Sequence, residues 1–475
     1  MPQRLDFDQH LAEIFGSELP LFHSKTSTPD YIRVNSLRTK TAEICEILRA
    51  YGFEVEAVAG LENAVRILHA PYDPTQCLHH YIGYFIKQSL ASQLPVHVLA
   101  PKPGESVLDL CAAPGSKTTQ IATMMQNRGR LLANDYSSKR MTALAARLDA
   151  NCAYNNVLMR RSAERLPHEL DIYFDAVLAD VPCSGLGEAQ NLKENRYRYE
   201  RSKNFQAFND IQYAIALAGA KLLKVGGRLV YSTCSLNPAE NEVIVNRLCK
   251  AWPLRILDIA KIDAFTFREA CTSWRGEELC HDLRKCKKLM PWENETQGFF
   301  VASLEKYDEI PRTAKIQESL KAIEIIETLP FDAPEIAEIL ENIEHYYGIV
   351  PTSFSELRFV RNADKTIHFL HSDWHSLPAT FHRAGICLAK RRGPMWRLSQ
   401  AAIQQFGAKI RKNRLSLSRD QLQTLAKGEF LQNVGFEFET PYPVIDYGDL
   451  GAIAYAYVEV DGRLRWKRPS TLYVL

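Results

Sequence analysis

At 475 residues the chain is long enough for about three domains. Its composition, 46% hydrophobic and 24% charged, excludes a largely disordered chain; the lack of an apolar run of spanning length or an apolar leader also argues against a helical membrane span and a secretory signal, so the expectation is a cytoplasmic protein with no membrane partner. The net charge of +2 excludes a polycation, and eleven cysteines, an odd number scattered along a large chain, read as reduced thiols rather than a disulfide framework.

Residues 1–100 read as a small α+β unit, with the segment Tyr31-Ile-Arg-Val-Asn-Ser-Leu-Arg38 followed by an amphipathic helix near Thr41–Tyr51. From 101 to 305, strand-like and helix-like segments alternate. Ser106–Leu110, Arg130–Asn134, Asn156–Met159, Ala176–Ala179 and Arg228–Ser232 are short, apolar and bounded by turn residues, with helical stretches such as Ser138–Asn151 and Phe208–Leu223 between them. That rhythm predicts an α/β, doubly wound, mostly parallel sheet with helices on both faces. A late strand, Gly298–Ser303, is expected to close the sheet edge.

Residues 306–475 form the third part. Glu305–Pro311 reads as a linker, and Asp332 as the cap of a helix with Pro334 in its first turn. Glu335, Glu338, Glu341 and Glu344 then recur on one side, as on a solvated acidic face. Val444–Tyr447 and Ala452–Val460 read as strands of a small β-rich module. Between Trp374 and Arg419 stand ten Lys or Arg and no acid. This stripe is either a solvated basic face or a footprint for phosphates.

Several segments carry chemistry. The first strand of the parallel sheet enters Cys111-Ala-Ala-Pro-Gly-Ser-Lys117, with a helix beginning near Thr118. A turn of small residues here lets a nucleotide-like cofactor approach the backbone at a helix N-terminus. Asp135 follows the second strand, where a carboxylate accepts from ribose hydroxyls. No phosphate-gripping glycine pattern is present. A ribose acceptor without phosphate chemistry points to S-adenosylmethionine. Two cysteines, Cys183 in Asp180-Val-Pro-Cys-Ser-Gly185 and Cys234 in Ser232-Thr-Cys-Ser-Leu236, follow the fourth and fifth strands. If those strands are neighbours, both thiols face one crevice, an arrangement suited to covalent catalysis. Cys45, Cys77, Cys152 and Cys249 read as buried small hydrophobes. Cys271, Cys280, His281 and Cys286 lack the paired spacing of a zinc site, so no metal is expected. His79 and His80 read as surface or interdomain residues.

The segments Arg33–Arg38, Gly83–Gln88, Val107–Thr118, Asp180–Gly185, Gly226–Pro238, Glu240-Asn-Glu242 and Gly298–Ala302 together resemble the Sun/Fmu-type family of RNA cytosine-5 methyltransferases, in the family's order. The resemblance implies a class I, Rossmann-like S-adenosylmethionine methyltransferase domain acting on RNA. It implies that Cys234 is the nucleophile and that Cys183 helps release the methylated RNA. Cys111, Ala112, Ala113, Pro114, Gly115, Ser116 and Lys117, with Asp135 and Asp180, would line the cofactor pocket, and Lys117 would also reach the active site. A thiolate is wanted because carbon 5 of cytosine is a poor nucleophile until a group adds at carbon 6; Asp180 stands where it would assist at the ring nitrogen N3.

Phe381–Ala389 and Leu417–Gly428 are similar to the tail of a small-subunit rRNA branch of that family, whose members carry a C-terminal PUA-like RNA-binding region. That favours rRNA over tRNA, for an enzyme expected to act as a monomer. Three departures stand out: Ser162 where the family has an adenosine-contacting Asp, Val181 where Ala is usual, and Glu188–Tyr199 in place of an Arg-x-Pro segment. The interleaved Arg and Tyr of that last segment suit either RNA stacking or an exposed loop. The rival expectation from another class is a non-catalytic RNA-binding ribosome-assembly factor with a relict methyltransferase fold.

Overall fold

The computed structural model describes residues 6–467, apart from 26, 192, 195, 197–204, 312–323, 363–364, 379 and 433–436. Tyr197, Arg198 and Tyr199 of the Arg/Tyr segment thus lie outside the described residues. Helix α1 (Phe7–Phe15) opens the chain, capped by Asp6. A four-stranded antiparallel sheet follows, in the order β2-β3-β1-β4, from β1 (Asp30–Val34), β2 (Glu54–Ala57), β3 (Ala64–His69) and β4 (Phe85–Lys87). Helix α2 (Thr41–Ala50) buries Ile44, Cys45 and Leu48, the face its periodicity predicts. Helix α3 (Leu90–Leu99) leads into the central sheet.

The centre is a doubly wound α/β domain. Its elements are β5 (Ser106–Asp109), α4 (Ser116–Met124), β6 (Arg130–Asn134), α5 (Ser138–Ala150), β7 (Asn156–Met159), β8 (Phe174–Asp180), α6 (Phe205–Leu222), β9 (Leu223–Thr233) and α7 (Glu242–Ala251). The parallel strands lie in the order β9-β8-β5-β6-β7. The order reverses beside β5, which opens a crevice at the carboxyl ends of β5 and β8. All four residues of β5 and of β7 are buried, as strands covered on both faces require.

Past β9 the sheet is extended by β10 (Leu254–Leu257), β11 (Lys287–Leu289) and β12 (Phe299–Lys306), with the short strand Arg268–Glu269 paired to β11. The expectation that the late strand closes the sheet is corrected here. β12 pairs with β9 on one side and with β10 and β11 on the other, so it is interior. The expected linker also starts as strand. Lys306 is fully buried and its ammonium donates to Leu223 O at 2.7 Å.

The opposite edge is occupied by the chain's last third. Arg383–Ala384 pairs antiparallel with Val157 and Leu158 of β7. Trp374 Nε1 donates to Asn155 O at 2.9 Å, and Arg383 is paired with Asp149. That third contains helix α8 (Pro334–Tyr347) and an antiparallel sheet including β13 (Leu357–Arg361), β14 (Thr366–His371), β15 (Ile386–Arg392) and β16 (Met395–Leu398). Beyond it, β17 (Arg414–Ser416), β18 (Val444–Asp446) and β19 (Ala452–Tyr455) make a smaller sheet. Pro334 does begin α8, and Glu335, Glu338 and Glu341 are exposed. The N-cap, however, is Ala333 and makes no side-chain bond, so Asp332 is not the cap. His79 is buried rather than at the surface. Its ring packs on Tyr51 and Tyr84, and burial pushes its pKa down to about 4.

Candidate active site

The crevice beside β5 is a cleft of about 530 Å3, assembled from loops at the carboxyl ends of β5, β6, β7, β8 and β9. Cys111, Ala113, Asp135, Ser162, Asp180, Cys183 and Cys234 line it, with Leu110, Val181, Ile211 and Ile215 as apolar wall. Each polar group stands at a strand end for the same reason: the strand is fixed by the sheet, and the first free residues project over the edge.

Asp135 sits just past β6. Its carboxylate accepts from Ala113 N at 3.2 Å and Ser137 N at 2.9 Å, and Arg140 stands 3.5 Å away. These bonds tie the loop after β5 to the loop after β6. Thr118 Oγ1 donates to the buried Asp109 at 2.8 Å, fixing the start of α4 over β5. Asp180, at the end of β8, accepts from Ser232 Oγ at 2.7 Å and pairs with Lys117 Nζ at 2.7 Å. Lys117 also donates to Ser92 Oγ at 3.0 Å.

β8 and β9 are neighbours, with Asp180 in register with Ser232. Both cysteines are free, and their sulfurs face each other at 2.8 Å. The two loops also touch through backbone: Gly187 N donates to Cys234 O at 3.0 Å, and Gly298 N to Gly187 O at 2.8 Å. A side chain on Gly187 would meet Gly298 O at 2.4 Å and Cys234 O at 2.7 Å, so only glycine permits this approach. The Cys234 thiol is pushed up, first by its hydrogen bond with Cys183 and then by burial. Burial, then Asp109, Asp135 and Asp180, push Cys111 up as well.

The loop after β5 divides between two spaces. Ala112, Pro114, Ser116 and Lys117 face a second pocket of about 280 Å3, shared with Lys87, Gln88, Ser89 and Ser92 of the N-terminal unit. Cys111, Ala113 and Asp180 border both spaces. Gly115 borders neither, contrary to expectation. It turns the chain into α4 with φ of +107°, and a Cβ there would lie 2.9 Å from Leu144 Cδ1. Glu164, Arg140, Tyr136 and the Ile211/Ile215 pair were not anticipated. Glu164 had one signal, an acid two residues after Ser162, and its carboxylate accepts from Ser162 Oγ at 2.5 Å. Arg140 had none, because its contact with Ala113 exists only once β5 and β6 are paired.

A family model described as 16S rRNA methyltransferase RsmB/F matches residues 96–305. Among relatives, the ribosomal RNA small subunit methyltransferase F of Shewanella piezotolerans is 30% identical over 444 residues, covering 89% of this chain and 88% of that protein. A tRNA (cytosine(49)-C(5))-methyltransferase of Pyrococcus abyssi is 34% identical over 281 residues, 58% of this chain and 87% of that one. A crystal structure of a methyltransferase homolog protein from Pyrococcus horikoshii superposes with a TM-score of 0.56 at 29% identity, covering 63% of this chain and 94% of that one.

Proposed function

The chain belongs to the RsmB/F family of 16S rRNA methyltransferases, and from that premise we propose that it methylates carbon 5 of a cytosine in small-subunit rRNA, using S-adenosylmethionine. The observation that carries the mechanism is the pair of free thiols, Cys183 and Cys234, facing each other beside Asp180. The match to the Shewanella enzyme runs through the last third of the chain, whereas the tRNA-acting relative covers 58% of it, and this favours rRNA.

The cleft's residues fit the cofactor. Asp135 offers a carboxylate to ribose hydroxyls, and Leu110, Val181, Ile211 and Ile215 offer apolar surface to a purine. Ser162 and Glu164 would meet the adenosine side, and Cys111, Ala112, Ala113, Pro114, Ser116 and Lys117, with Asp180, would hold the methionine side. S-adenosylmethionine supplies an electrophilic methyl group on a sulfonium centre.

The Cys234 thiol gives up its proton to solvent as its sulfur attacks carbon 6 of the cytosine. An S–C6 bond forms, and the ring electron pair moves toward carbon 5 and N3. The Lys117–Asp180 pair provides a hydrogen bond or proton at N3, which favours the adduct. Carbon 5 would then take the methyl group as the sulfonium's bond to it breaks, leaving a neutral thioether. A base, the Cys183 sulfur or a water beside it, takes the carbon-5 proton; the electron pair of that C–H bond forms the C5–C6 double bond and expels the Cys234 sulfur as thiolate. Cys183 assists at that release. The base must leave its stack to reach Cys234, so the RNA rearranges locally.

The parts we propose are an N-terminal RNA-binding unit (1–100), a catalytic domain (101–305) and a PUA-like RNA-binding region (306–475). Free thiols at the site support a reducing compartment, the cytoplasm. In the test, Cys183→Ala is incubated with S-adenosylmethionine and total RNA. A denaturation-resistant protein–RNA adduct is expected, and adding Cys234→Ala should abolish it. Absence of both adduct and cofactor binding would instead mark a relict fold that binds RNA without chemistry.

A further inference from the structure

Glu240 belongs to the motif set behind the family resemblance, yet it does not border the cleft. Its side chain is fully buried. Oε1 accepts from Ser184 N at 2.9 Å and from Gln212 Nε2 at 3.1 Å. Oε2 accepts from Ser184 Oγ and Ser235 Oγ, each at 2.5 Å. All four are neutral donors. Burying a carboxylate on such terms is costly, so the arrangement calls for a reason beyond stability.

The donors supply that reason. Ser184 follows Cys183, and Ser235 follows Cys234, so one carboxylate grips the residue after each thiol. The two loops do not depend on it equally. The Cys234 loop continues directly from β9, and it has its own ties: Thr233 Oγ1 to Asn241 Oδ1 at 2.6 Å, and Asn241 Nδ2 to Ser235 O at 2.8 Å. The Cys183 loop runs on beyond β8, tied at its ends by Val181 N to Ser232 O at 3.1 Å and Gly187 N to Cys234 O at 3.0 Å. Between them it is held by Gln212 Nε2 to Pro182 O at 2.9 Å and by Ser184, whose hydroxyl also lies 3.1 Å from that of Ser235. The Gln212 amide also donates to Glu240. The grip on Ser184 and the orientation of Gln212 therefore both pass through Glu240.

We propose that Glu240 is a positioning residue that holds Cys183 against Cys234, so that release of the methylated RNA depends on it more than attack does. This rests on the covalent reading above. Losing the clamp would leave Cys234 able to add to the ring but slow its departure. Glu240→Ala and Ser184→Ala are therefore expected to slow turnover roughly 10- to 100-fold while accumulating a denaturation-resistant adduct, as Cys183→Ala does. Glu240→Gln should largely restore turnover. Its amide oxygen still accepts from Ser184 N and Gln212, and its NH2 group can donate to the two hydroxyls, which rotate to suit.

The experiment is single-turnover methylation of RNA by the full chain, with adduct quantified on denaturing gels for each variant. Ser184→Ala keeps the buried carboxylate, and it decides the matter if Glu240→Ala fails to fold. Adduct from Cys183→Ala but none from Ser184→Ala or Glu240→Ala, whether they are active or dead, overturns the clamp alone. No adduct from Cys183→Ala sinks the covalent reading and the clamp with it.

Discussion

Three cysteines border the cleft, and their surroundings assign them different work. Cys111 is pushed up first by burial and then by the three acids around it, Asp109, Asp135 and Asp180. Cys234 is pushed up too, but there the largest cause is the hydrogen bond with Cys183, ahead of burial. Cys183→Ala removes that cause. Alkylation of Cys234 by iodoacetamide, followed by peptide mass spectrometry across pH, should begin at lower pH in Cys183→Ala than in the parent enzyme. An unshifted onset would mean that burial alone sets the thiol. Asp135, Asp180, Cys183 and Cys234 were legible in the sequence because each sits at the end of a strand or one to three residues past it, and strand ends define the binding edge of such a sheet. Glu164 was not legible, because its place at the cleft depends on the turn after β7 that lets it accept from Ser162 Oγ. Glu240 stands within the Glu240-Asn-Glu242 motif, but its place between Ser184 and Ser235 depends on two loops meeting, which spacing does not reveal.

Among the elements, β5 bears an unusual load. Asp109 is buried at its end, and burial pushes its carboxyl up to about 7, against the opposing hydrogen bond from Thr118. An unfolded chain ionises this group near 3.8. Between those values the folded protein keeps a proton that the unfolded chain has lost. The group's contribution to stability therefore falls as pH rises from about 4 to about 7. Asp109→Asn can still accept from Thr118 and does not titrate. Its melting temperature relative to the parent should climb from pH 5 to pH 8; a constant difference would argue against the buried acid. The strands of the parallel sheet were readable in sequence to within a few residues, because fully buried strands are short apolar runs between turns. The place of β12 was not, since pairing partners depend on chain that returns much later. Likewise Asp332 has the right chemistry for a cap, but the backbone enters α8 one residue further on.

Taken together, the molecule disperses the basic stripe that the sequence presents as a run. Arg383 and Arg414 are spent on ion pairs with Asp149 and Asp446. Arg391 and Arg392 remain exposed at the turn of the β15–β16 hairpin. Close by, Arg397 lies 4.5 Å from the ring centroid of Tyr455 and 5.3 Å from that of Tyr442. If this hairpin meets phosphates, Arg391→Ala and Arg392→Ala should weaken RNA binding across sequences, each flattening the salt dependence of affinity by about one unit of slope. Fluorescence anisotropy over a salt series measures both quantities. An unchanged slope would return the stripe to a solvated face.

The strand Arg383–Ala384 gives that last third a second duty. It occupies the rim of the central sheet, where β7 would otherwise offer unpaired backbone to any passing chain. The central sheet and the last third of the chain are therefore not beads on a string. A gene cut after residue 305 would yield a protein with an open seam, and light scattering should detect its self-association even without RNA. Whatever history joined the two parts, they now share a wall, and neither can be exchanged without rebuilding it.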